Sequence, residues 1–173
     1  MARLHADRDW FLRVLEELPR TVCHLDVWPA NLIDRGPGDT VLVDWSFVGD
    51  GCLGEDLGNL IPDCVADLFV PSDLLPELTR RLYDGYTRGL SSAGWRGDER
   101  LIRLGMLASA VKYDWLAAHM LDRAVRGGLS AYGGSTPTDP APLFRARGAA
   151  LAHLAGWAEE ARRLAPSIGW PAP

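Results

Sequence analysis

An α+β domain, mostly helical, is what this sequence predicts, and three observations predict it. Apolar residues recur at i, i+3 and i+4 in four stretches after residue 54 and in one before residue 19. Only two short β-like runs stand out, and they flank the turn sequence RGPGD. The chain has 173 residues and is 47% hydrophobic, enough for one domain with its own core.

The first helix is expected over residues 7–18, with Trp10, Phe11, Val14, Leu15 and Leu18 on one face, Asp7 as N-cap and Pro19 as its stop. Thr21 to Cys23 then run extended. Asn31 to Asp34 and Thr40 to Asp44 form a hairpin. The run Val41–Leu42–Val43 predicts a strand with little solvent on either face. The segment GDGCLG, 49–54, reads as a loop. A helix from Glu55 to about Val65 comes next, with Pro62 a kink or an end. Ser72 to Leu90 is helical, Pro76 sitting in its first turns where a missing N–H does little harm.

Asp98 is expected to cap a long helix to about Val125, with Leu101, Leu104, Ala108, Val111, Trp115, Ala118 and Val125 inward. Gly127 and Gly128 stop it, and residues 129–140 are a loop. A last helix over about 141–164 turns Leu151, Leu154, Trp157, Ala158 and Ala161 inward, and the tail is irregular. Residues 1–173 are expected to form one unit, with a candidate catalytic and metal-binding core at 24–57 and a helical subdomain at 58–164.

Composition excludes several classes. Net charge is -5 and the isoelectric point is near 5.3, which disfavours binding nucleic acid by phosphate neutralisation. The arginines at 80, 81, 88, 96, 100 and 103 lie among acids without interleaved aromatics and read as a solvated face. No apolar run approaches the ~18 residues of a membrane span, and with no basic start followed by an apolar run no signal peptide is expected. Cys23, Cys52 and Cys64 lack metal-ligand spacing and read as reduced thiols of a cytoplasmic protein.

The chemistry concentrates in His24 to Leu57, HLDVWPANLIDRGPGDTVLVDWSFVGDGCLGEDL. Phosphoryl transfer asks for positioned oxygens to hold Mg²⁺ and a carboxylate that orients the attacking hydroxyl. Mg²⁺ takes hard oxygen ligands and keeps several waters, so one Asp and one Asn suffice beside the phosphates. His24, Asp26 and Asn31 meet the pattern H-x-D-x-x-x-x-N. Asp44 ends the run VLVD after the hairpin, aimed back at the same space. Taken singly, Asp26 also suits a loop turn, Asn31 a hairpin and Asp56 the start of a helix.

These residues resemble the C-terminal lobe of the aminoglycoside phosphotransferase and choline kinase family, relatives of protein kinases. The family pattern runs HGDLHPGN, a hairpin, IDWE, then GDP and DLA. The Asp26–Asn31 and Asp44–Asp56 separations are the same here. The sequence departs at Leu25, often Gly in the family, at Trp28, at Ser46 and at Cys52. The resemblance implies that Asp26 is the catalytic carboxylate facing a substrate hydroxyl. It implies that Asn31 and Asp44 hold Mg²⁺ and that ATP is the phosphoryl donor. His24 would be structural, and Asp56 would accept backbone N–H bonds from the catalytic loop. Helical-lobe carboxylates line the acceptor pocket in this family, which makes Asp63, Asp67, Asp114 and Asp122 candidates. Trp28 and Trp45 read as packing residues.

The family also implies an N-terminal lobe with a phosphate-covering loop and a strand lysine. Twenty-three residues precede His24, and the single lysine, Lys112, lies in a helical stretch. The sequence therefore reads as a C-terminal lobe alone, a fragment or a truncation, binding ATP weakly and turning over little or not at all. A second reading is a truncated kinase-like module that binds a ligand or a protein without catalysis. The surface that an N-terminal lobe would cover then favours self-association. A third is a metal-dependent hydrolase using Asp26 and Asp44. The acceptor itself and the choice of ATP over GTP are not written in these residues.

Overall fold

A computed structural model describes residues 2–128 and 139–173 of the chain. The loop expected over 129–140 falls mainly on 129–138, outside the described residues. The fold is α+β and mostly helical. Helices α1 (Ala2–Ala6) and α2 (Arg8–Glu17) lead into strand β1 (Arg20–Cys23). A 3₁₀ turn at Pro29–Asn31 precedes β2 (Leu32–Asp34) and β3 (Thr40–Leu42). A 3₁₀ turn at Trp45–Phe47 and strand β4 (Gly49–Cys52) come after them. The helices are then α3 (Glu55–Ala66), α4 (Leu75–Ser92), α5 (Glu99–Ala110), α6 (Trp115–Arg126) and α7 (Ala141–Ser167).

Two antiparallel pairs make up the β structure. The β2–β3 hairpin matches Leu32 with Leu42 and Asp34 with Thr40. Its turn is fixed by Asp34, whose carboxylate accepts the Gly36 N–H at 2.8 Å. Ile33 is 47% exposed and Val41, Leu42 and Val43 are half-buried, so the hairpin faces solvent on one side, contrary to the expectation of a strand with little solvent on either. The second pair, β1 with β4, turns the expected loop at 49–54 into a strand, Cys23 facing Gly49 and Arg20 facing Cys52. Glycine makes that approach possible: a Cβ on Gly51 would lie 2.7 Å from Cys23 Sγ.

The core is centred where α3 crosses α5. Ile61 and Val65 of α3 and Ile102, Leu104, Met106 and Leu107 of α5 are fully buried, with Val14 of α2 and Ala158 and Ala161 of α7 closing around them. Backbones meet closely there. A Cβ on Gly58 would lie 2.6 Å from the Met106 carbonyl oxygen, and one on Gly105 would overlap the Leu53 carbonyl. Pro62 sits inside α3 without ending it. A smaller cluster of Val27, Leu60 and Cys64, with Leu32 and Leu42 against it, ties the loop and hairpin to α3.

The helix expected over 98–125 is divided. Asp98 caps it as expected, Oδ1 accepting the Arg100 N–H at 2.9 Å. A 3₁₀ turn at Val111–Asp114 then separates α5 from α6. Tyr113 holds that turn, its hydroxyl donating to Asp63 of α3 at 2.7 Å and lying 3.2 Å from the Asn59 carbonyl. A 3₁₀ residue advances 120° against 100° in an α-helix, so four of them rotate the faces of α6 by about 80°. Trp115 and Val125, expected inward, are accordingly 56% and 88% exposed, and Leu116 is buried in their place.

Asp7 precedes α2 but makes no side-chain cap. Its carboxylate pairs with the buried Arg162 of α7, Nε to Oδ2 2.8 Å. In α7, Leu154, Trp157, Ala158 and Ala161 point inward, as the periodicity predicts, and Leu151 is half-buried. Among the described residues, no helix is long and apolar enough to cross a membrane.

Candidate active site

The segment after β1 turns sharply out of its sheet. Leu25 adopts φ +63°, a left-handed conformation that costs a non-glycine residue about 1–3 kcal/mol. The neighbouring α3 holds it there. Asp56, in the first turn of α3, accepts the His24 N–H on Oδ2 and the Leu25 N–H on Oδ1, each at 2.9 Å. Two successive amides are thus gripped by one carboxylate, with the helix dipole favouring its negative charge. Gly54, just before α3, donates its N–H to Tyr86 Oη of α4 at 3.2 Å, bracing the same helix end.

His24 is 1% exposed and its ring is fixed at both nitrogens. The Asp26 N–H donates to Nδ1 at 3.3 Å, so Nδ1 is an acceptor. Nε2 must then carry the proton, which it donates to the Val43 carbonyl at 2.9 Å. Trp45 packs edge-on against this ring, centroids 4.7 Å apart, and donates its indole N–H to the Leu42 carbonyl. Trp28 packs edge-on against Phe69, centroids 6.3 Å apart. His24 therefore links the loop bearing Asp26 to the strand end bearing Asp44.

Asn31 makes a second link. Its Nδ2 donates to the Asp26 carbonyl at 2.9 Å and to Asp26 Oδ2 at 3.2 Å. Its carbonyl accepts the Val43 N–H at 3.0 Å. Both Nδ2 partners are acceptors, so the amide can be oriented only one way. Oδ1 accepts no hydrogen bond among the described residues. Asp44, directly after Val43, is exposed and left-handed at φ 60°, ψ 64°. Ser46 donates its hydroxyl to Asp44 Oδ1, and Oδ2 has no partner among the described residues. The donor set thus offers one amide oxygen and one carboxylate, both hard ligands that fit Mg²⁺. Among the described residues, no group of three or more His, Cys, Asp or Glu gathers as a metal site.

The four acceptor-side candidates separate. Asp63 of α3 accepts the Tyr113 hydroxyl at 2.7 Å. Burial pushes its carboxyl up to about 6, with the charges of Asp67 and Asp26 adding to the rise. Asp67 pairs with the buried Arg147 at 3.2 Å. Asp114 lines a cleft against α1 and α2. Asp122 is exposed and pairs with Arg126 at 2.9 Å. Tyr113 and Ser46 are the polar contacts that sequence reasoning did not single out. The left-handed Leu25 had a signal, since it stands where the resembled pattern has glycine.

The model of the Phosphotransferase enzyme family matches residues 1–101, which include the whole constellation. No curated protein and no solved structure matches the chain. Given that match over more than half its length, the chain belongs to the phosphotransferase enzyme family.

Proposed function

We infer that the chain carries the metal-holding and acceptor-activating part of an ATP-dependent phosphotransfer site whose acceptor is the hydroxyl of a small molecule. The observation that carries this reading is the interlock around His24. One carboxylate grips two loop amides, one imidazole spans to Val43, and Asn31 bridges Asp26, through its side-chain amide, to the same strand end, through its backbone carbonyl. Such support keeps side chains in productive geometry before substrate arrives.

In this reading Asp26 accepts a hydrogen bond from the acceptor hydroxyl and directs its lone pair. Asn31 Oδ1 and the Asp44 carboxylate would hold Mg²⁺, which supplies charge neutralisation at the phosphates. His24 and Asp56 are positioning residues. Asp63, on the same helix as the loop-gripping Asp56, is the favoured acceptor-side carboxylate, ahead of Asp67, Asp114 and Asp122. The site corresponds to the C-terminal lobe of a kinase-like fold, and the three unpaired thiols suit a cytoplasmic setting. A non-catalytic binding module is the second reading. It is favoured by Val22 and Phe47, 74% and 66% exposed beside the site, where a second body or a second copy would bury them.

Mn²⁺ titration with NMR relaxation as the readout tests the metal half. Broadening should centre on residues 26–44 and be lost in Asp44→Asn. With ATP, Mg²⁺ and a panel of amino and sugar alcohols, transfer is expected to be weak, and Asp26→Asn should lower it by about 10²–10⁴. Broadening that ignores Asp44 sinks the metal assignment. Transfer that survives loss of the Asp26 carboxylate sinks the catalytic one.

A further inference from the structure

Lys112 is the only lysine in the chain. It lies in the 3₁₀ turn between α5 and α6 and lines a 290 Å³ cleft against α1 and α2. Phe11, Leu15 and Val111 give the cleft an apolar floor, and His5, Arg8 and Asp114 stand at its polar side. Arg8 is paired with Asp9 at 3.2 Å, whereas the Lys112 amine has no hydrogen-bond or ion-pair partner among the described residues. We propose that Lys112 is an acyl-acceptor site, its ε-amine taking a small activated acyl group such as acetyl within this cleft.

The chemistry balances without a further reagent. Nζ attacks the acyl carbon and an amide C–N bond forms. The bond from that carbon to phosphate oxygen, or to thioester sulfur, breaks, and the leaving group takes the electron pair. The ammonium-like nitrogen gives its surplus proton to water. Attack needs the unprotonated amine; Lys112 is exposed overall, yet the protein packed around its amine lowers it from its ordinary 10.5, although Glu55, Asp63 and Asp56 of α3 push the other way. Three apolar side chains give the acyl methyl a place to rest. The modification would also matter to the neighbouring site. The Lys112 charge helps hold the Asp63 carboxyl down, so its removal raises Asp63 further.

The full chain is incubated with acetyl phosphate in one arm and with a small acetyl thioester in the other. Acetylation of Lys112 is followed by intact mass and peptide mapping, with a synthetic peptide spanning residues 108–116 and the denatured chain as reference amines. The expected result is a rate at Lys112 severalfold above both references in at least one arm, and which arm is fast identifies the acyl source. The acetylated protein and Lys112→Gln should both show the Asp63 carboxyl titrating higher by NMR, and Lys112→Arg should not. A folded-chain rate no faster than the peptide in both arms overturns the proposal.

Discussion

Asp56→Asn is the sharpest perturbation available, because it changes one oxygen for one NH₂ group at the point where α3 grips the loop. The wild-type carboxylate accepts two backbone N–H groups, each at 2.9 Å. Hydrogen bonds to a charged acceptor contribute about 1.5–3 kcal/mol each. The amide keeps one acceptor oxygen and turns a donor toward the other N–H. One bond is lost and a partly buried donor is left unmet, so the expected destabilisation is about 2–4 kcal/mol. For a chain of this length that corresponds to a fall in Tm of roughly 5–12 °C.

Loss of negative charge from the first turn of α3 adds only about 0.3–1 kcal/mol, and salt screens that part. The assay is urea unfolding at low and at high salt, with amide exchange of His24 and Leu25 followed alongside. A lower midpoint at unchanged slope, retained at high salt, with those two amides losing protection, is the expected outcome. A midpoint equal to wild type with both amides still protected would refute the claim that this carboxylate shapes the loop.

Three further substitutions test the same geometry. Asp63 holds its proton up to about 6 in the folded chain against 3.8 ordinarily. The folded state therefore binds more protons between those values, and stability falls as pH rises through that window, by up to about 3 kcal/mol. Asp63→Asn keeps an acceptor for Tyr113 but removes this dependence, so it should be more stable than wild type at neutral pH and lose that advantage below about pH 4, as paired melting curves will show. Gly105→Ala places a methyl group against the Leu53 carbonyl and should cost about 1–3 kcal/mol by denaturant unfolding. Leu25→Gly relieves the left-handed strain while giving up a half-buried side chain. It should stay within about 1 kcal/mol of wild type, well short of the 2–5 kcal/mol lost when a core leucine is truncated to alanine.

Much of the candidate site is legible in the sequence, because its logic is local. His24, Asp26 and Asn31 lie within eight positions, and a short hairpin returns Asp44 to them. The β2–β3 hairpin announces itself through RGPGD, and the helices through their apolar period. Strand β4 does not, because GDGC carries no alternation of apolar and polar residues. Its pairing with β1 depends on Gly51 admitting the Cys23 side chain, a contact between residues 28 positions apart.

The break between α5 and α6 is also hidden. No glycine or proline marks Val111–Asp114, and the turn is held by Tyr113 reaching across to α3. The outward rotation of Trp115 and Val125 stems from that one tertiary contact. Asp63 could be named from sequence only as one acid among four. Its separation from Asp114 and Asp122 needed the fold.

Helix α3 carries the loop-gripping Asp56 near one end and Asp63 seven residues later, about 10 Å along the axis. Gly58, between them, lets α3 lie close against α5, and Pro62 falls within the same stretch. One helix thus bears both the carboxylate that shapes the loop and the carboxylate held by Tyr113. A substitution that displaces α3 from α5, such as one at Gly58, should therefore disturb both carboxylates together, seen as paired NMR shifts of the His24 and Leu25 amides and of Asp63.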